Sequence, residues 1–379
     1  MTEGAPYPLG YRARAIYGEE LVAESRNVVR TDVFDSAPLL WFPSEDVFTA
    51  AGEPVEGEGA LTGRVSFDHE KVRLEIVDAR EDDERRDVTI KRFPNWGDAA
   101  DLVAVMNVTP SGDGRFTSVA RSDWRRPVVE ASQQLGQAIV AACRHAPGRR
   151  VVAASMNFVR PSDARASYEI ELEEVTNGRA FTALRTTAVQ AGKVCAFGSV
   201  LLDVRAPDVI RHADPPPDVP GPYDAMPLDM GVTGRDLRVV DAAYTGDPHA
   251  PVGPPELDAW VRFRDLPDDE PIHAGLLAQF TGHMSIAAAM RPHAGIGQNA
   301  AHRTLSTAIN AISISFHAPV RADEWMLYHH HSTFAGDGMT HSVCGVYNEN
   351  GQHLASFTVE AMVRAFADPA MTVDYRTSL

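Results

Sequence analysis

Apolar residues follow two kinds of spacing along this chain, and the same order of spacings occurs twice. Residues 128–142 and 272–290 carry small and apolar side chains at the intervals of a helix. Each segment is followed by a run in which alternate positions are apolar, residues 153–158 and 311–316, as in a strand with one buried face. The pattern predicts a helix followed by several antiparallel strands, formed twice.

The two parts also share landmarks at matching distances. Phe158 begins the sequence Phe-Val-Arg-Pro, and Phe316, 158 residues further on, begins Phe-His-Ala-Pro. A turn at Gly192 lies 31 residues after the first proline, and a turn at Gly351 lies 32 residues after the second. Self-similarity with so long a period indicates two domains of the same kind in tandem.

Both predicted helices contain more small residues than a helix packed on one side requires. In the first they are Ala131, Ser132, Gly136, Ala138, Ala141 and Ala142, and in the second Ala274, Gly275, Ala278, Gly282, Ala287 and Ala288. Small side chains let a sheet curl closely around a helix, although each interior glycine costs about 1 kcal/mol of helix propensity. The predicted fold class is α+β, a tandem (double) hotdog in which antiparallel sheets wrap around central helices, with an N-terminal mainly-β domain.

Changes of composition along the chain predict four segments. Residues 1–95 contain short alternating runs broken by turns, which is typical of a β-rich domain. Residues 96–205 hold the first hotdog, and residues 236–379 hold the second. The stretch between them, residues 206–235, is rich in proline and is expected to be a stiff, extended linker.

Composition limits the class of protein. With 44% hydrophobic and 23% charged residues, the 379-residue chain has the make-up of an ordinary globular protein of two or three domains. A net charge of −17 argues against a nucleic-acid binder, and the sequence has no run of about 18 apolar residues that would span a membrane. The N-terminus lacks the basic and apolar regions of a secretory signal, and the three cysteines lie in apolar runs. We therefore expect a cytoplasmic protein without nucleic-acid or membrane partners.

Arginines are concentrated around the first predicted helix. They are Arg121, Arg125, Arg126, Arg144, Arg149, Arg150 and Arg160. Two interpretations stay open: the arginines form a solvated rim, or they supply local counter-charge for a phosphorylated ligand, although the chain as a whole is acidic.

Several motifs of the repeat are similar to those of one enzyme family. In the first part they are Gly136-Gln-Ala, Phe158-Val-Arg-Pro-Ser-Asp163 and Gly178-Arg-Ala-Phe-Thr-Ala-Leu-Arg185, and in the second Phe316-His-Ala-Pro and Arg321-Ala-Asp-Glu-Trp-Met-Leu-Tyr328. Over residues 100–366 the chain resembles the acyl-CoA thioesterase II family, the TesB-like double-hotdog thioesterases. The N-terminal part, notably residues 18–26 and 40–46, resembles a small bacterial β-rich domain of uncharacterised function, without that domain's usual stretch of histidine and cysteine.

The resemblance implies a catalytic trio that this chain does not carry. The family hydrolyses acyl-CoA thioesters with an aspartate on the second helix, a threonine or serine on the following strand and a glutamine on the last strand, which together hold a water. By the flanking motifs these positions fall on Gly282, Ile309 and Val359. None of the three can activate a water, because glycine has no side chain and the other two have no donor or acceptor.

Polar residues next to the replaced positions are the candidate catalytic residues. They are His283 beside Gly282, Thr307 and Asn310 around Ile309, and Glu360 beside Val359. A bulge or a one-residue slip would turn such a neighbour towards the site, whereas neighbours in a regular strand point to opposite faces.

Each candidate has a role that suits its chemistry. His283 would be the base, since a neutral imidazole, whose ordinary pKa is about 6.5, accepts a proton at cellular pH; the alternative is a hydrogen-bonded interior histidine. Glu360 either faces outwards from its apolar strand or is held for chemistry with a raised pKa. Asn310 or Thr307 would orient the water, and backbone N–H groups near the helix start would stabilise the oxyanion.

Two other features have ordinary explanations. The run His329-His-His331 places two imidazoles on one strand face, but no Asp, Glu or Cys lies at short ligand spacing, so we predict no metal site. Glu130, at the start of the first helix, is interpreted as a charge that favours the helix dipole.

The resemblance and these residues together predict a thioesterase-like enzyme that hydrolyses an acyl thioester of CoA or of a carrier protein. No cofactor is expected apart from CoA or phosphopantetheine as part of the substrate. A homodimer or higher homo-oligomer is expected, because exposed hotdog sheets usually pair. Two alternatives stay open: the pocket performs dehydration, cyclisation or condensation of a biosynthetic acyl intermediate, for which loss of the water-holding trio is suited, or the protein binds acyl groups without catalysis.

Overall fold

The computed structural model describes residues 6–8, 12–31, 39–68, 71–77, 87–90, 97–120, 128–228, 232, 234–242, 250–301 and 305–366. The chain divides into two compact units. The first is formed mainly by residues 1–101 and 227–237, and the second by residues 102–226 and 238–377. The segment boundaries that the sequence suggests between the two hotdogs and their linker stay a prediction.

The first unit is built from short strands. Up to residue 90 they are β1 (Tyr7–Pro8), β2 (Arg12–Tyr17), β3 (Glu20–Ser25), β4 (Val29–Thr31), β5 (Leu39–Pro43), β6 (Val55–Glu56), β7 (Arg64–Ser66), β8 (Arg73–Val77) and β9 (Asp87–Ile90). They form two antiparallel sheets, of order β1-β4-β5-β7-β6 and β3-β2-β8-β9. Phe42 and Phe67 meet edge-on in the core, with ring centroids 5.9 Å apart. The predicted β-rich N-terminal domain is confirmed.

The helices and the long strands follow. The helices are α1 (Ala99–Met106), α2 (Ala131–His145), α3 (Glu270–Phe280) and α4 (Ser285–Met290). In the part of the chain described, no helix combines the length and apolar character needed to cross a membrane. The strands are β10 (Thr109–Gly112), β11 (Arg115–Thr117), β12 (Arg150–Phe158), β13 (Glu169–Asn177), β14 (Phe181–Gln190), β15 (Lys193–Asp203), β16 (Met226–Pro227), β17 (Arg235–Val239), β18 (Glu256–Phe263), β19 (Leu305–Phe316), β20 (Met326–Gly336), β21 (Met339–Asn348) and β22 (His353–Ala365).

One antiparallel sheet runs through both repeats of the second unit. From β10 to β18 its order is β10-β11-β13-β14-β15-β12-β19-β22-β21-β20-β18. The repeats join where β12 pairs with β19, with Ala153 opposite Ser315 and Asn157 opposite Ala311. Each repeat thus contributes helix and strands to a shared sheet. The α+β double hotdog predicted from the internal repeat is confirmed.

The small residues of the two predicted helices serve a helix–helix contact as well as the sheet. A Cβ atom on Gly136 of α2 would clash with the carbonyl oxygen of Gly275 on α3. A Cβ on Gly275 would lie 2.7 Å from Cγ2 of Val140. The close approach of α2 and α3 therefore depends on glycine at the crossing point, because any larger residue would force backbones apart.

The second helix is interrupted, which corrects the prediction of one continuous helix over 272–290. Helix α3 ends at Phe280 and α4 begins at Ser285. Between them Met284 adopts a φ of 68°, a left-handed conformation that cannot continue an α-helix. Gly282 lies in the same break, where its lack of a Cβ allows the chain to pass Ser132 of α2. The break lies beside the position that the resemblance assigns to catalysis.

Candidate functional site

His283 lies in the break between α3 and α4 and is buried, with 9% of the residue exposed. Its ring stacks on Phe280, with centroids 4.6 Å apart and planes 3° apart. Phe280 in turn meets Tyr328 of β20 edge-on at 4.9 Å. These contacts fix the plane of the imidazole, so that its nitrogen atoms point in set directions.

Glu130, from the first repeat, is a charged group that faces His283. Its Oε1 lies 3.7 Å from His283 Nε2, and its side chain is only 13% exposed. Its other oxygen, Oε2, accepts a hydrogen bond of 3.0 Å from Gln279 Nε2 near the end of α3. Although Glu130 is the N-cap residue of α2, its side chain makes no capping hydrogen bond there. The carboxylate is therefore directed at the second repeat, while it stays at the N-terminus of α2, where its charge also favours the helix dipole.

The packing of α2 against α3 explains how residues so far apart in sequence meet. The start of α2 lies beside the end of α3, since Glu130 bonds Gln279. The end of α2 lies beside the start of α3, since Arg144 bonds Asp269. The two helices are thus antiparallel, and a residue just before α2 is brought next to one just after α3. A histidine and a carboxylate so placed can act together as a general base.

Of the three positions that the resemblance assigns to the family's trio, Gly282 directly precedes His283 in the chain. A Cβ atom on Gly282 would lie 3.6 Å from Cδ1 of Ile309, so these two positions adjoin. Val359 is 1% exposed and is paired with Ile312 on the neighbouring strand β19. The side chains present at these positions offer no hydrogen-bonding group to a water.

The strand β19 contains a bulge next to Ile309, but the bulge does not bring Asn310 inwards. Ile309 is opposite Ala361 and Ala311 is opposite Glu360, so Asn310 is the extra residue. Asn310 is exposed. Thr307 is buried, with 9% of its surface accessible, and it lies on the same face of the strand as Ile309. Of the two candidates around Ile309, the structure places Thr307 inside and Asn310 outside.

Glu360 lies on the outer face of β22. It is exposed, and its Oε1 lies 3.6 Å from Nε2 of His341 on β21. The structure therefore does not bring Glu360 to His283. Of the four candidate catalytic residues, His283 and Thr307 are interior, and Glu360 and Asn310 are on the outer face of the sheet.

The histidine run of β20 alternates between the two faces of the sheet. His329 Nδ1 lies 2.8 Å from Asp258 Oδ1, and His331 Nδ1 lies 3.5 Å from Glu256 Oε1. The middle residue, His330, points inwards and is fully buried. Among the described residues no group of three or more His, Cys, Asp or Glu side chains is arranged to hold a metal ion.

The arginines around the first helix are engaged within the protein where the structure describes them. A shallow pocket lies at the end of α2, with Arg149, Arg150 and Arg205 in its lining. Arg149 donates to the carbonyl oxygens of residues 178 and 180, at 2.7 and 2.6 Å. Arg150 pairs with Asp203 and Arg205 with Glu270. These contacts favour the rim interpretation; residues 121, 125 and 126 lie outside the described part of the chain.

Sequence reasoning missed Glu130 and Gln279 as parts of the site. Gln279 carried a signal that could have been used, because it is a polar residue in an otherwise apolar stretch of α3 and is buried. Glu130 carried none, because its importance depends on a helix 149 residues away in sequence.

Two family models match the chain. The model for the acyl-CoA thioesterase N-terminal domain matches residues 120–202, and the model for the acyl-CoA thioesterase C-terminal domain matches residues 211–363. Together they cover more than half of the 379 residues. The matches begin and end close to the two repeats seen in the sheet.

Named relatives and solved structures agree with these models. Acyl-coenzyme A thioesterase 8 of Mus musculus is 26% identical over 273 residues, which is 63% of this chain and 82% of the relative. Acyl-CoA thioesterase 2 of Haemophilus influenzae is 24% identical over 258 residues, 62% of this chain and 87% of the relative. The acyl-CoA thioesterase II TesB2 of Mycobacterium marinum has a TM-score of 0.59 at 24% identity, covering 70% of this chain and 99% of that one.

A tesB protein of Mycobacterium avium subs paratuberculosis has a TM-score of 0.60 at 21% identity, again covering 70% of this chain and 99% of that one. At such identities the solved structures show the shared fold. The continuous sheet, the paired helices and the two family models lead to one conclusion. The chain belongs to the acyl-CoA thioesterase II (TesB-like) double-hotdog family, with a β-rich N-terminal unit ahead of the residues that the family models match.

Proposed function

We propose that the protein hydrolyses the thioester of an acyl group carried by CoA or by a carrier protein, with His283 as the base that takes a proton from water. The observation that carries this proposal is the pairing of His283 with Glu130 at 3.7 Å. It joins a base and a carboxylate from the two repeats, beside the positions Gly282 and Ile309 where the family's residues would lie. That the bond cleaved is a thioester is inferred from membership of the family.

The reaction follows from the chemistry of these groups. A water gives a proton to the neutral imidazole of His283 while its oxygen attacks the thioester carbonyl carbon. Glu130 stabilises the imidazolium that forms, and Gln279 holds the carboxylate through its hydrogen bond. The tetrahedral intermediate expels the thiolate, which takes the proton back from His283. The products are a carboxylic acid and a free thiol, and Thr307 on the inner side of β19 is proposed to orient the water.

A comparison with His273 supports a chemical role for His283. His273 is also buried, but both of its ring nitrogens meet the backbone: Nε2 lies 3.1 Å from the Pro267 oxygen, and Nδ1 lies 3.0 Å from the Ala322 nitrogen. Burial lowers the pKa of His273, as expected for a neutral structural histidine. A carboxylate oxygen of Asp323 also lies 3.8 Å from Nδ1 of His273, but that carboxylate is paired with Arg321. The carboxylate of Glu130 beside His283 is instead held by the neutral amide of Gln279, and burying a histidine–carboxylate pair is costly unless the pair has a use.

A second candidate function is proton transfer on the acyl group itself, such as dehydration of a hydroxyacyl thioester. It is favoured by the absence of hydrogen-bonding side chains at Gly282, Ile309 and Val359. A site that does not hold a water at these positions would limit hydrolysis of its own substrate. The same His283–Glu130 pair would then remove a proton from carbon.

We also infer that the protein is a cytoplasmic homo-oligomer. The cysteines Cys143, Cys195 and Cys344 are free and buried, which is compatible with a reducing compartment. Size-exclusion chromatography with light scattering tests the assembly, and a monomeric mass at micromolar concentration would overturn it.

The function is tested with a panel of acyl-CoA and acyl-carrier-protein thioesters, following both free thiol and product mass. Hydrolysis predicts thiol release that falls in His283→Ala and in Glu130→Gln. His331→Ala, which removes an exposed histidine paired with a carboxylate on the outer face, is the matched control. Loss of one water with the thioester intact would favour the second function. Binding without either product would leave an acyl-binding protein.

A further inference from the structure

The inner face of β20 and β21 is polar, although it forms part of the interior of the second repeat. Its buried polar residues are His330, Ser332, Thr340, Ser342 and Cys344, all less than 7% exposed. His330 is opposite Cys344, and Ser332 is opposite Ser342, so the residues form two neighbouring rows. The side chains of such cross-strand and diagonal neighbours are within reach of one another.

The two ring nitrogens of His330 differ in their hydrogen bonding within the described part of the chain. Its Nδ1 lies 3.0 Å from Ser285 Oγ at the start of α4 and 3.4 Å from Cys344 Sγ. Its Nε2 is buried and has no hydrogen-bond partner in the part of the chain described. Burial lowers the pKa of His330 to about 3, so the ring is neutral, and Nε2 is either a donor or an acceptor according to the tautomer.

Ser342 adds a second unsatisfied group to the same face. Its Oγ is buried and likewise has no hydrogen-bond partner among the described residues. Ser342 lies between Ser332 on β20 and Val359 on β22. A buried polar group without a partner is destabilising, so two such groups on one face indicate a partner other than the protein.

The polar face is continuous with the proposed catalytic residue. From His283 the aromatic contacts pass through Phe280 to Tyr328, whose ring lies 6.4 Å from that of His330 and nearly parallel to it. Ser285, the partner of His330, follows His283 by two residues, and its N–H donates to the His283 oxygen at 2.8 Å. These contacts place the polar face next to the residue that is proposed to act at the thioester carbonyl.

We propose that His330 Nε2 and Ser342 Oγ form a subsite for an oxygen atom on the acyl chain, so that the substrates are hydroxylated acyl thioesters rather than plain fatty acyl thioesters. This inference rests on the proposed function, which places the thioester of the substrate at His283, and it specifies the class of acyl group that the substrate carries. A hydroxyl suits the subsite because it can donate one hydrogen bond and accept another, as can a neutral imidazole and a serine. A plain alkyl chain would leave both protein groups unpaired, which is how enzymes reject a substrate that lacks a hydroxyl.

The first repeat provides a matched control. Thr186 Oγ1 on β14 is also buried without a hydrogen-bond partner among the described residues. Its cross-strand neighbours, however, are Leu172 and Gly198, which offer no polar side chain. Thr186→Val removes an unsatisfied buried hydroxyl at a site where no ligand is proposed, and Ser342→Ala removes one where a ligand is proposed.

The test measures binding of thioether analogues of acyl-CoA, which cannot be hydrolysed, by calorimetry on the full chain. The analogues share one chain length and differ in the position of a single hydroxyl, with the plain chain as reference. We expect at least one hydroxylated analogue to bind about tenfold more tightly than the plain chain, and this preference to fall at least about fivefold in Ser342→Ala but not in Thr186→Val. Ser342→Ala should fold normally, because it deletes an unpaired hydroxyl.

Two results would overturn the subsite. In the first, no hydroxylated analogue binds more tightly than the plain chain, which would mean that the two groups hold only water. In the second, the preference for a hydroxylated analogue survives in Ser342→Ala. Thiol release from the corresponding thioesters is measured separately. Hydroxyl preference without release would retain the subsite and reject hydrolysis, whereas release without preference would retain hydrolysis and reject the subsite.

Discussion

The two repeats share one topology but differ in the continuity of their helices and in the chemistry of their inner strand faces. In the first repeat α2 is one helix of 15 residues, and the inner face of β13 carries Ile170. In the second, α3 and α4 are separated by the break that holds His283, and the inner face of β20 carries His330. The first repeat contributes the Glu130 carboxylate, while the second contributes the imidazole. The two repeats are thus copies of one framework that contribute different parts of the proposed site.

The largest effect is expected where the two repeats meet. His283→Ala removes the proposed base and should lower kcat/KM for thioester hydrolysis at least about 100-fold, which is the usual loss for a general base. The measurement is the rate of thiol release at subsaturating substrate. Activity within about threefold of the wild type would show that the break in the second helix does not carry the base.

The polar interior of the second repeat should make its stability depend on pH. The pKa of His330 is lowered to about 3 in the folded state, while in the unfolded state it is about 6.5. Below pH 6.5 the unfolded chain binds a proton that the folded chain does not, so stability falls as the pH falls from about 6.5 towards 3. Urea unfolding at pH 7 and pH 5 should show that wild type loses roughly 2 kcal/mol more than His330→Gln over this interval.

The neighbouring His329 should show the opposite sign. Its hydrogen bond to Asp258 raises its pKa, so the stability it contributes is present in full below the unfolded pKa and is lost as the pH rises through the folded one. His329→Gln is therefore expected to reduce stability at pH 5.5 more than at pH 8. Identical pH profiles for the two variants would contradict the alternation of the histidine run between inner and outer faces.

The helix crossing should respond unequally to the same substitution on its two sides. In Gly136→Ala the new Cβ would meet the backbone oxygen of Gly275, which cannot move without shifting α3, and a loss of about 1–3 kcal/mol is expected. In Gly275→Ala the new Cβ would lie 2.7 Å from a Val140 methyl group, with the nearest backbone atom, the Gly136 oxygen, at 3.2 Å. A smaller loss is expected, because the backbone contact is less severe and the helix propensity of alanine offsets part of the cost. Thermal unfolding measures both, with Gly221→Ala, which has open space around it, as the control. Equal losses would mean that the crossing relaxes symmetrically.

The smallest effect is expected for the residues on the outer face of the sheet. Asn310→Ala and Glu360→Gln should change kcat/KM by no more than about twofold, because surface substitutions away from a site are close to neutral. The same thiol-release assay measures both. A tenfold loss in either variant would place the chemistry on the opposite side of the sheet from His283.

The fold was predictable from sequence because the repeat is marked by features with fixed physical meaning. The prolines that end β12 and β19, the glycine turns and the small-residue helices recur in the same order. The sequence does not show which strands join the two repeats, and the pairing of β12 with β19 is a finding of the structure. The break after Phe280 was missed, because Gly282 fits a small-residue helix as well as it fits an interruption. The left-handed conformation of Met284, which only the structure shows, distinguishes an interrupted helix from a continuous one.

The site was predictable only in part. His283 could be found because it adjoins a position fixed by flanking motifs, but Glu130 required knowledge of how α2 packs against α3. The faces of the sheet to which Asn310 and Glu360 point depend on a bulge whose location the sequence does not show. Such a bulge moves the extra residue outwards and restores the inward series from Ile312 onwards.

The hydrogen-bonded junction between β12 and β19 has a consequence for how this chain tolerates being cut. Residues 204–215, which connect the repeats, are exposed, and Val209 is 97% exposed. A protease that nicked this connector would release no product, since the fragments would still be held by the shared ladder between Ala153–Asn157 and Ala311–Ser315. If the two fragments were separated, each would keep only one residue of the Glu130–His283 pair. Each would also expose an unpaired strand edge, which promotes aggregation. A cut in the connector would therefore break the chain without separating the two repeats, and the Glu130–His283 pair needs both of them.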